Sequence, residues 1–435
     1  MTSSQMHYVI VTGGSMGDIH PFLKVAQTLQ QCGRKVTFVG TAVHADLVHQ
    51  AGFSFVGVGT VDEYHELVRN PDLWHPQKSF AALFQNYRTN LDRAYRDIVD
   101  LVGSGPCVVV AHPFALPLAS MVRETCPQVQ VVGTYLAPSN LRTCHDPLYM
   151  GPTHIPTWVP MSWRRTLWHW IDRYLVDPIA VSEVNAVRTA HGLSPIQSFL
   201  PHMQAVPDVS VTLFPAWFAV PYADWPQPLC VGDFPLFDPA SSKPLPDDAA
   251  RFLDQGSRPV VVTPGTANAH AKDLFASAVR AAKRLGLRML FLTPHREQLP
   301  ASLPDTIHWQ PYVSLQTLLP LAQGLIYHGG IGTLAEAMRA GVPQVVVPFA
   351  WDQFDNAARV KALGVGEVIP GRGVSARKLI RALRSTVMSE SVQAHCQQVA
   401  HRAQQVHSPA EVFRAVEQLL DIESTEQGDG GAPKK

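Results

Sequence analysis

The feature that most constrains this chain is a repeated order of strand, glycine-rich turn, helix and strand. Residues 7–12 (HYVIVT) are a short apolar run, a turn with three glycines follows at 13–17, and helical spacing of apolar residues begins at Pro21. The next apolar run, KVTFV at 35–39, does not alternate apolar with polar residues. Strands of this kind are buried on both faces, which is typical of a parallel sheet covered by helices.

The same order returns in the second half of the chain. Apolar runs predict strands at 107–111 and 129–135 in the first series and at 259–263, 288–292, 324–327 and 344–348 in the second. Helical spacing predicts helices over 273–285 and at about 332–340 and 352–362. Two successive series of this kind indicate an α/β fold with two doubly wound, Rossmann-like domains.

A stretch rich in Pro, Ser and Asp, 234–248, separates the two series and has the composition of a linker. We predict an N-terminal domain at 1–238, a C-terminal domain at 249–420 and a disordered tail at 421–435, where little can be buried. Ligands of open parallel sheets bind beyond the carboxyl ends of the strands. A site built from both domains is therefore expected in a cleft between them.

Composition narrows the classes of function. Lys plus Arg and Asp plus Glu each number 35, so the chain lacks the positive charge of a nucleic-acid-binding protein. The six cysteines are scattered without a C-x-x-C pair, as in a reduced cytoplasmic protein. The N-terminus does not have the pattern of a signal peptide, and no apolar run is long enough to span a membrane. We expect a cytoplasmic enzyme.

Residues 158–170 are rich in tryptophan, and an amphipathic helix is predicted from Trp163 onward. Aromatic residues at helical spacing most often pack against their own domain. Two other interpretations stay open: a flap in which Trp163 contacts an apolar acceptor, or a helix that contacts a lipid surface at the inner membrane.

The stretch from Trp309 to Asn356 carries the strongest chemical pattern. The strand GLIY ends at His328, glycines follow, and a helix begins near Gly332. Free backbone N–H groups and the positive end of the helix dipole at such a point favour an anion, and a diphosphate fits. Further along, Glu336 can accept hydrogen bonds from ribose hydroxyls, and Asp352 with Gln353 suits a polyhydroxylated ligand.

This stretch resembles the nucleotide-sugar signature of family 1 glycosyltransferases, which have the GT-B fold. The matching elements are W-x-P, H-x-G, the helix Thr and Glu, A-G-V-P and D-Q-x-x-N. The resemblance implies that a nucleotide-sugar donor is bound by the following residues: Thr266, Trp309, His328, Gly330, Gly332, Thr333, Glu336, Asp352 and Gln353. Trp309 would stack on the base. Tyr312 stands where plant members have Gln, and Ile331-Gly332-Thr333 stands where they have Trp-Asn-Ser.

The first glycine turn supplies the acceptor side. GGSMGDIHP resembles the family's acceptor loop, in which the Asp at the position of Asp18 is proposed as general base. A carboxylate there can take the proton that an attacking hydroxyl must lose. The alternative is that Asp18 only caps the helix. His20 and His112 compete weakly for the role of base or contact the acceptor.

No metal or other cofactor is expected. Asp-x-Asp, which holds Mg²⁺ or Mn²⁺ in nucleotide-sugar enzymes of another fold, does not occur in the sequence, and neither does H-E-x-x-H. The charge of the diphosphate would instead be met by the helix N-terminus, His328 and hydroxyl groups.

Stretches along the whole chain resemble the bacterial rhamnosyltransferases of rhamnolipid biosynthesis, among them VTLFPAWFAVPYADWPQPL at 211–229 and GDFPLFD at 232–238. The resemblance implies an inverting transfer of L-rhamnose from dTDP-L-rhamnose to a hydrophobic, hydroxylated acceptor, 3-(3-hydroxyalkanoyloxy)alkanoate, with mono-rhamnolipid as product. The alternatives are a UDP- or dTDP-hexose with a sterol, polyketide or phenolic acceptor, a nucleotide-sugar epimerase, and a non-catalytic binder.

Overall fold

The first half of the chain forms a seven-stranded parallel sheet. The computed structural model describes residues 6–151, 153–238, 241, 243–371, 373–405 and 408–422. The strand order is β3-β2-β1-β4-β5-β8-β9, with Val9 of β1 facing Thr37 on one side and Val109 on the other. The strands of this sheet are β1 (His7–Thr12), β2 (Lys35–Thr41), β3 (Ser54–Val58), β4 (Cys107–Ala111), β5 (Val129–Tyr135), β8 (Val209–Thr212) and β9 (Leu229–Val231).

Helices cover both faces of this sheet, and a short antiparallel hairpin, β6 (Leu148–Met150) and β7 (Thr153–Ile155), stands apart from it. Helices α7 and α8 are joined by a π-helical segment, Asp172–Val176. The helices of this unit are α1 (Met16–Gln31), α2 (Ala45–Gln50), α3 (Val61–Arg69), α4 (Ser79–Leu83), α5 (Tyr87–Val102), α6 (Leu116–Thr125), α7 (Met161–Ile171), α8 (Asp177–Ala190) and α9 (Phe199–Ala205).

The second half forms a six-stranded parallel sheet in the order β12-β11-β10-β13-β14-β15. Its strands are β10 (Val260–Thr263), β11 (Met289–Leu292), β12 (Ile307–Gln310), β13 (Gly324–Tyr327), β14 (Gln344–Val346) and β15 (Gly366–Val368). The later helices are α10 (Asp247–Asp254), α11 (Lys272–Leu285), α12 (Leu315–Leu318), α13 (Ile331–Ala340), α14 (Gln353–Ala362), α15 (Ala376–Ser385), α16 (Glu390–Gln404) and α17 (Pro409–Leu419). The prediction of two doubly wound α/β units is confirmed.

The last helix, α17, packs on the first sheet although it was predicted as part of the domain at 249–420. Val412, Phe413 and Val416 belong to the apolar core beneath β1 and α1. A buried ion pair joins Arg34 to Glu417 at 2.8 Å, and the hydroxyl of Tyr8 donates to the same carboxylate at 2.7 Å. The sequence did not reveal this return because an amphipathic helix does not encode which sheet it covers. Most of the predicted tail lies outside the described residues.

A second ionic contact joins the two units. Arg359 of α14 lies 2.6 Å from Asp146 of the first unit and 2.9 Å from Asp355 of its own helix. The hydroxyl of Tyr222 donates to Asp146 at 2.8 Å. Because the guanidinium of Arg359 pairs with a carboxylate of each unit, it fixes the position of α14 against the first unit.

Candidate active site

The site lies where the strand order of each sheet reverses. In the first sheet the loops after β1 and β4 diverge at this point, and in the second sheet the loops after β10 and β13 do so. Open parallel sheets form ligand crevices at such switch points. A cavity of about 1150 Å³ lies between the two units and is lined by all four loops.

The wall contributed by the second unit is the N-terminus of α13. The N-cap residue is Gly330, which has no side chain to cap the helix. Leu334 is the first residue whose N–H is bonded within the helix, to the carbonyl of Gly330 at 3.0 Å. The backbone N–H groups of the first turn therefore remain available to an anion in the cavity, which Ile331, Gly332 and Thr333 line.

His328 lies between two glycine-containing loops. A Cβ built on Gly330 would come within 2.4 Å of its Nε2, and one built on Gly265 would come within 2.9 Å of its Cε1. These positions therefore need glycine so that the backbone can approach the imidazole. Burial lowers the pKa of His328 to about 4, so the ring is neutral at pH 7 and can donate one hydrogen bond.

Thr266 and Glu336 also line the cavity, but their surroundings differ. Thr266 is exposed and follows Gly265 in the loop after β10. Glu336 is buried, and its two carboxylate oxygens accept hydrogen bonds from Gln316 at 2.8 Å and from Arg339 at 3.0 Å. Burial raises the pKa of Glu336. Each oxygen keeps one lone-pair direction for a ligand hydroxyl.

The Asp352-Gln353 pair is held by backbone and by Asn356. The amide oxygen of Gln353 accepts from the N–H groups of Phe349 at 2.8 Å and Ala350 at 3.1 Å, which leaves its NH₂ group for the cavity. The amide of Asn356 donates to Asp352 at 2.8 Å and to the carbonyl of Gly329 at 2.9 Å. Asn356 thereby ties the D-Q-x-x-N segment to the loop that holds His328.

Burial, with the charge of Asp18 as a second cause, raises the pKa of Asp352 to about 7. The carboxylates of Asp18 and Asp352 thus repel each other electrostatically across the cavity, although they belong to different units. A carboxyl group in this state can donate or accept a hydrogen bond near neutral pH.

Asp18 lies in the first turn of α1 and lines the cavity. One oxygen, Oδ2, accepts from the backbone N–H of Ser15 at 2.7 Å and from its hydroxyl at 3.0 Å, which forms a capping box. The other oxygen, Oδ1, has no hydrogen-bond partner within the described part of the chain. Capping therefore occupies one oxygen of Asp18 and leaves the other for a ligand.

His20 and His112 both line the cavity. Burial lowers the pKa of each ring. Nε2 of His20 is buried and has no hydrogen-bond partner among the described residues, whereas Nδ1 of His112 accepts from the backbone N–H of Phe114 at 3.3 Å. The second contact fixes the ring of His112 and leaves its other nitrogen as the one that can reach a ligand.

Two of the proposed site residues do not line the cavity. Trp309 donates from Nε1 to the carbonyl of Thr293 at 2.9 Å and packs against the core of the second unit. It does not line the cavity, where it was predicted to stack on the base. Trp163 is 71% exposed on α7, away from the cavity. Aromatic character alone does not tell whether a ring faces the ligand, the core or the solvent.

Other residues line the cavity that the sequence did not single out as site residues. Tyr312 replaces Trp309 in the cavity wall, and its hydroxyl donates to Asp238 of the linker at 2.8 Å. Asn268 and Thr12 are buried, and neither Nδ2 of Asn268 nor the hydroxyl of Thr12 has a hydrogen-bond partner in the part of the chain that the structure describes.

Trp351 also lines the cavity; it has a φ of 59° and makes an edge-on ring contact with Phe114 of the other unit. The spacing of Tyr312 from Trp309 could have suggested its place; nothing in the sequence indicates the left-handed backbone at Trp351.

Comparison with known families decides the class of protein. Residues 8–123 match the glycosyltransferase family 28 N-terminal domain. Residues 289–419 match the C-terminal domain described as like erythromycin biosynthesis protein CIII. The chain is a glycosyltransferase. The matched ranges contain Asp18 and the loop that begins at His328, the two sides of the cavity.

Relatives of this glycosyltransferase align along nearly its whole length. The O-mycaminosyltylonolide 6-deoxyallosyltransferase of Streptomyces fradiae is 28% identical over 406 residues, which are 88% of this chain and 90% of that one. The vancomycin aglycone glucosyltransferase of Amycolatopsis orientalis is 26% identical over 401 residues, covering 89% and 91%.

Solved structures share the fold of this glycosyltransferase. The glycotransferase of kitacinnamycin superposes with a TM-score of 0.71 at 18% identity, over 96% of this chain and 99% of that one. The spinosyn rhamnosyltransferase, complexed with thymidine diphosphate, gives a TM-score of 0.62 at 19% identity, over 95% and 100%. The predicted GT-B fold is confirmed.

Proposed function

We propose that this glycosyltransferase transfers L-rhamnose from dTDP-L-rhamnose to the hydroxyl group of 3-(3-hydroxyalkanoyloxy)alkanoate, with inversion at the anomeric carbon. One observation carries the proposal of a transfer reaction. The free oxygen of Asp18 and the uncapped N-terminus of α13 belong to different units and line one cavity. A base on one side and a diphosphate cradle on the other are what a single displacement requires.

The donor is placed in the second unit. The diphosphate lies at the N–H groups of Gly332 and Thr333, with hydrogen bonds from His328 and Thr266. Glu336 accepts from the 3′-hydroxyl of deoxyribose, the one ribose hydroxyl that a thymidine nucleotide offers. Asp352 and Gln353 hold the hydroxyls of the sugar. The spinosyn rhamnosyltransferase complexed with thymidine diphosphate supports this choice of nucleotide.

The reaction is a single displacement. Asp18 removes the proton from the acceptor hydroxyl, and the oxygen forms a bond to the anomeric carbon from the face opposite the nucleotide. The bond from that carbon to the diphosphate oxygen breaks, and dTDP leaves with the electron pair. The amides of α13 and the neutral His328 stabilise the charge that develops on the leaving group. The proposal includes no metal ion, because these donors supply the stabilisation.

A lipid acceptor also calls for contact with a membrane surface, and we propose that α7 makes this contact. Trp163, Trp170 and Tyr174 are exposed by more than half. Asp172 is the sole acidic residue between 157 and 175, and it is buried and paired with Arg142 at 2.6 Å. Exposed tryptophans beside cationic side chains favour the interface of an anionic bilayer. Within the described residues, no helix is long and apolar enough to cross a membrane.

A natural product of the polyketide class is the second candidate acceptor, and the S. fradiae relative, whose name specifies a tylonolide acceptor, favours it. The deciding experiment incubates the protein with dTDP- and UDP-sugars in combination with a hydroxyacyl lipid or a macrolide aglycone. Release of dTDP that depends on lipid supports the proposal. Sugar turnover without any acceptor indicates an epimerase, release that depends on the aglycone indicates the second candidate, and no turnover indicates a binder.

A further inference from the structure

One face of helix α5 lines the cavity along two turns. Tyr87, Asn90, Leu91 and Ala94 contribute to the wall, with the spacing i, i+3, i+4 and i+7 of one helical face. At 1.5 Å per residue, Tyr87 and Ala94 lie roughly 10 Å apart along the helix axis. The cavity therefore continues as a slot along α5, away from the loops that hold Asp18 and His328.

The slot ends at Ala94. Ile98 is the next residue on the same helical face, and it is fully buried in the core and does not line the cavity. Ala94 itself is only 2% exposed and yet belongs to the wall. Ala94 has the smallest side chain of the four, so the end of the slot is open because residue 94 is small.

The facing wall is apolar as well. Ala115, the residue before α6, and Leu118 of α6 line the cavity, and Leu118, Leu91 and Ala94 belong to one apolar core cluster. Polar side chains also line the cavity outside the strand-end loops, among them Asn90 of α5 and Glu63 of α3. The side chains of Leu91, Ala94, Ala115 and Leu118 nevertheless offer only aliphatic carbon to it. A flexible aliphatic chain fills such a slot by removing its own apolar surface from water.

We propose that the slot between α5 and α6 receives an acyl chain of the acceptor and that Ala94 limits its length. This inference rests on the proposed function, because it takes the acceptor to be an acyl lipid. The 3-hydroxyl of that acyl chain then lies at the loop of Asp18, and the carbons of the chain beyond it extend along α5. Chain length is selected by the distance from that loop to Ala94.

Two substitutions with opposite effects test the proposal. Ala94→Leu shortens the slot, so kcat/KM for the longest acyl acceptors should fall about 10- to 200-fold while the shortest acceptors react as before. Leu118→Ala widens the slot, so the preference should move toward longer or branched chains. The measurement is dTDP release from dTDP-L-rhamnose with a graded series of hydroxyacyl acceptors.

Leu116→Ala is the matched control. Leu116 lies on α6 and in the same core cluster as Leu118, but it does not line the cavity. Its removal should lower the melting temperature and leave the ratio of long- to short-chain rates unchanged. Affinity for dTDP, measured by calorimetry, shows whether each variant keeps its donor site.

Unchanged ratios of long- to short-chain rates in both Ala94→Leu and Leu118→Ala, with normal affinity for dTDP, would overturn the slot assignment while the proposed function stands. An equal loss at every chain length would do the same. If the unaltered protein transfers sugar to no acyl acceptor, the proposed function and this inference fail together.

Discussion

Ser15 holds one carboxylate oxygen of Asp18 with two hydrogen bonds, from its backbone N–H at 2.7 Å and its hydroxyl at 3.0 Å. The cap and the general base, which the sequence presents as alternatives, thus use different oxygens of one side chain. Fixing Oδ2 in the capping box also orients Oδ1. The Asp18 side chain is therefore already ordered before the acceptor binds, which lowers the entropy cost of binding. The capping box is part of the arrangement proposed for the base.

Gly332→Ala tests the diphosphate cradle without disturbing the fold. A Cβ at this position meets no atom within 4 Å, and alanine is the better helix former, so the melting temperature should stay the same or rise. The methyl group would occupy space at the helix N-terminus where the proposal places a phosphate. We expect weaker binding of dTDP by calorimetry. Unaltered affinity in a stable variant would remove Gly332 from the donor site.

The raised pKa of Asp352 predicts a pH dependence of stability. Its pKa is about 7 in the folded protein against an ordinary value of 3.8, so the native state binds more protons than the unfolded state between these values. Stability from this group is present below pH ~4 and is lost as the pH rises through 7. The Asp352→Asn side chain does not titrate, so this variant should not lose stability in that pH range. Its amide oxygen can still accept the hydrogen bond from Asn356.

The measurement is the difference in melting temperature between Asp352→Asn and the unaltered protein. This difference should move in favour of the variant as the pH rises from about 4 to about 8. His328, whose pKa burial lowers to about 4, contributes the opposite trend in both proteins, and taking the difference cancels it. A difference that does not change with pH would show that Asp352 is not held protonated.

Much of the fold could be predicted because the strands are buried on both faces. The runs at 7–12, 107–111, 129–135 and 324–327 coincide with observed strands. Five strands of the two sheets were not predicted: β3, β8, β9, β12 and β15. All but β8 lie at the edges of their sheets and are only partly buried, so their apolar pattern is weak. Strand β8 is buried but has only four residues. The apolar spacing seen from Pro21 marks only the later part of its helix, which begins at Met16 because the capping box lies within the glycine turn.

The loops of the site could be located from the sequence because they follow strand ends directly, as the loops that contain His328 and Gly265 do. The orientation of the side chains in these loops could not be predicted. Trp309 and Tyr312 are three residues apart, and which of them faces the cavity depends on how β12 ends and packs against the core. The hydrogen bond from Asn356 to the carbonyl of Gly329 joins residues 27 positions apart, which the local sequence pattern does not specify.

The exposed face of α7 should bind anionic lipid. We expect the protein to co-sediment with vesicles that contain phosphatidylglycerol, and less with vesicles of phosphatidylcholine alone. Replacing Trp163 and Trp170 together by Ala should abolish the difference. Met388, an exposed apolar residue of the second unit, supplies the control variant Met388→Ala, which should bind as before. Equal binding by the double variant and the control would contradict a membrane contact through α7.

Removal of divalent cations should leave turnover unchanged. The proposed leaving-group stabilisation comes from the amides of α13, from His328 and from Thr333. Within the described residues, no group of three or more His, Cys, Asp or Glu side chains could hold a metal ion. Turnover measured with and without EDTA checks this expectation. Inhibition by EDTA that Mg²⁺ reverses would contradict it.

The central claim is that Asp18 is the base opposite a diphosphate held at α13, and Asp18→Asn tests it most directly. Asn keeps an oxygen that can accept from Ser15, so the cap of α1 and the fold should persist. Lipid-dependent release of dTDP should fall by roughly 10²–10⁴, with affinity for dTDP little changed. Turnover within a few-fold of the unaltered protein would show that Asp18 only caps its helix.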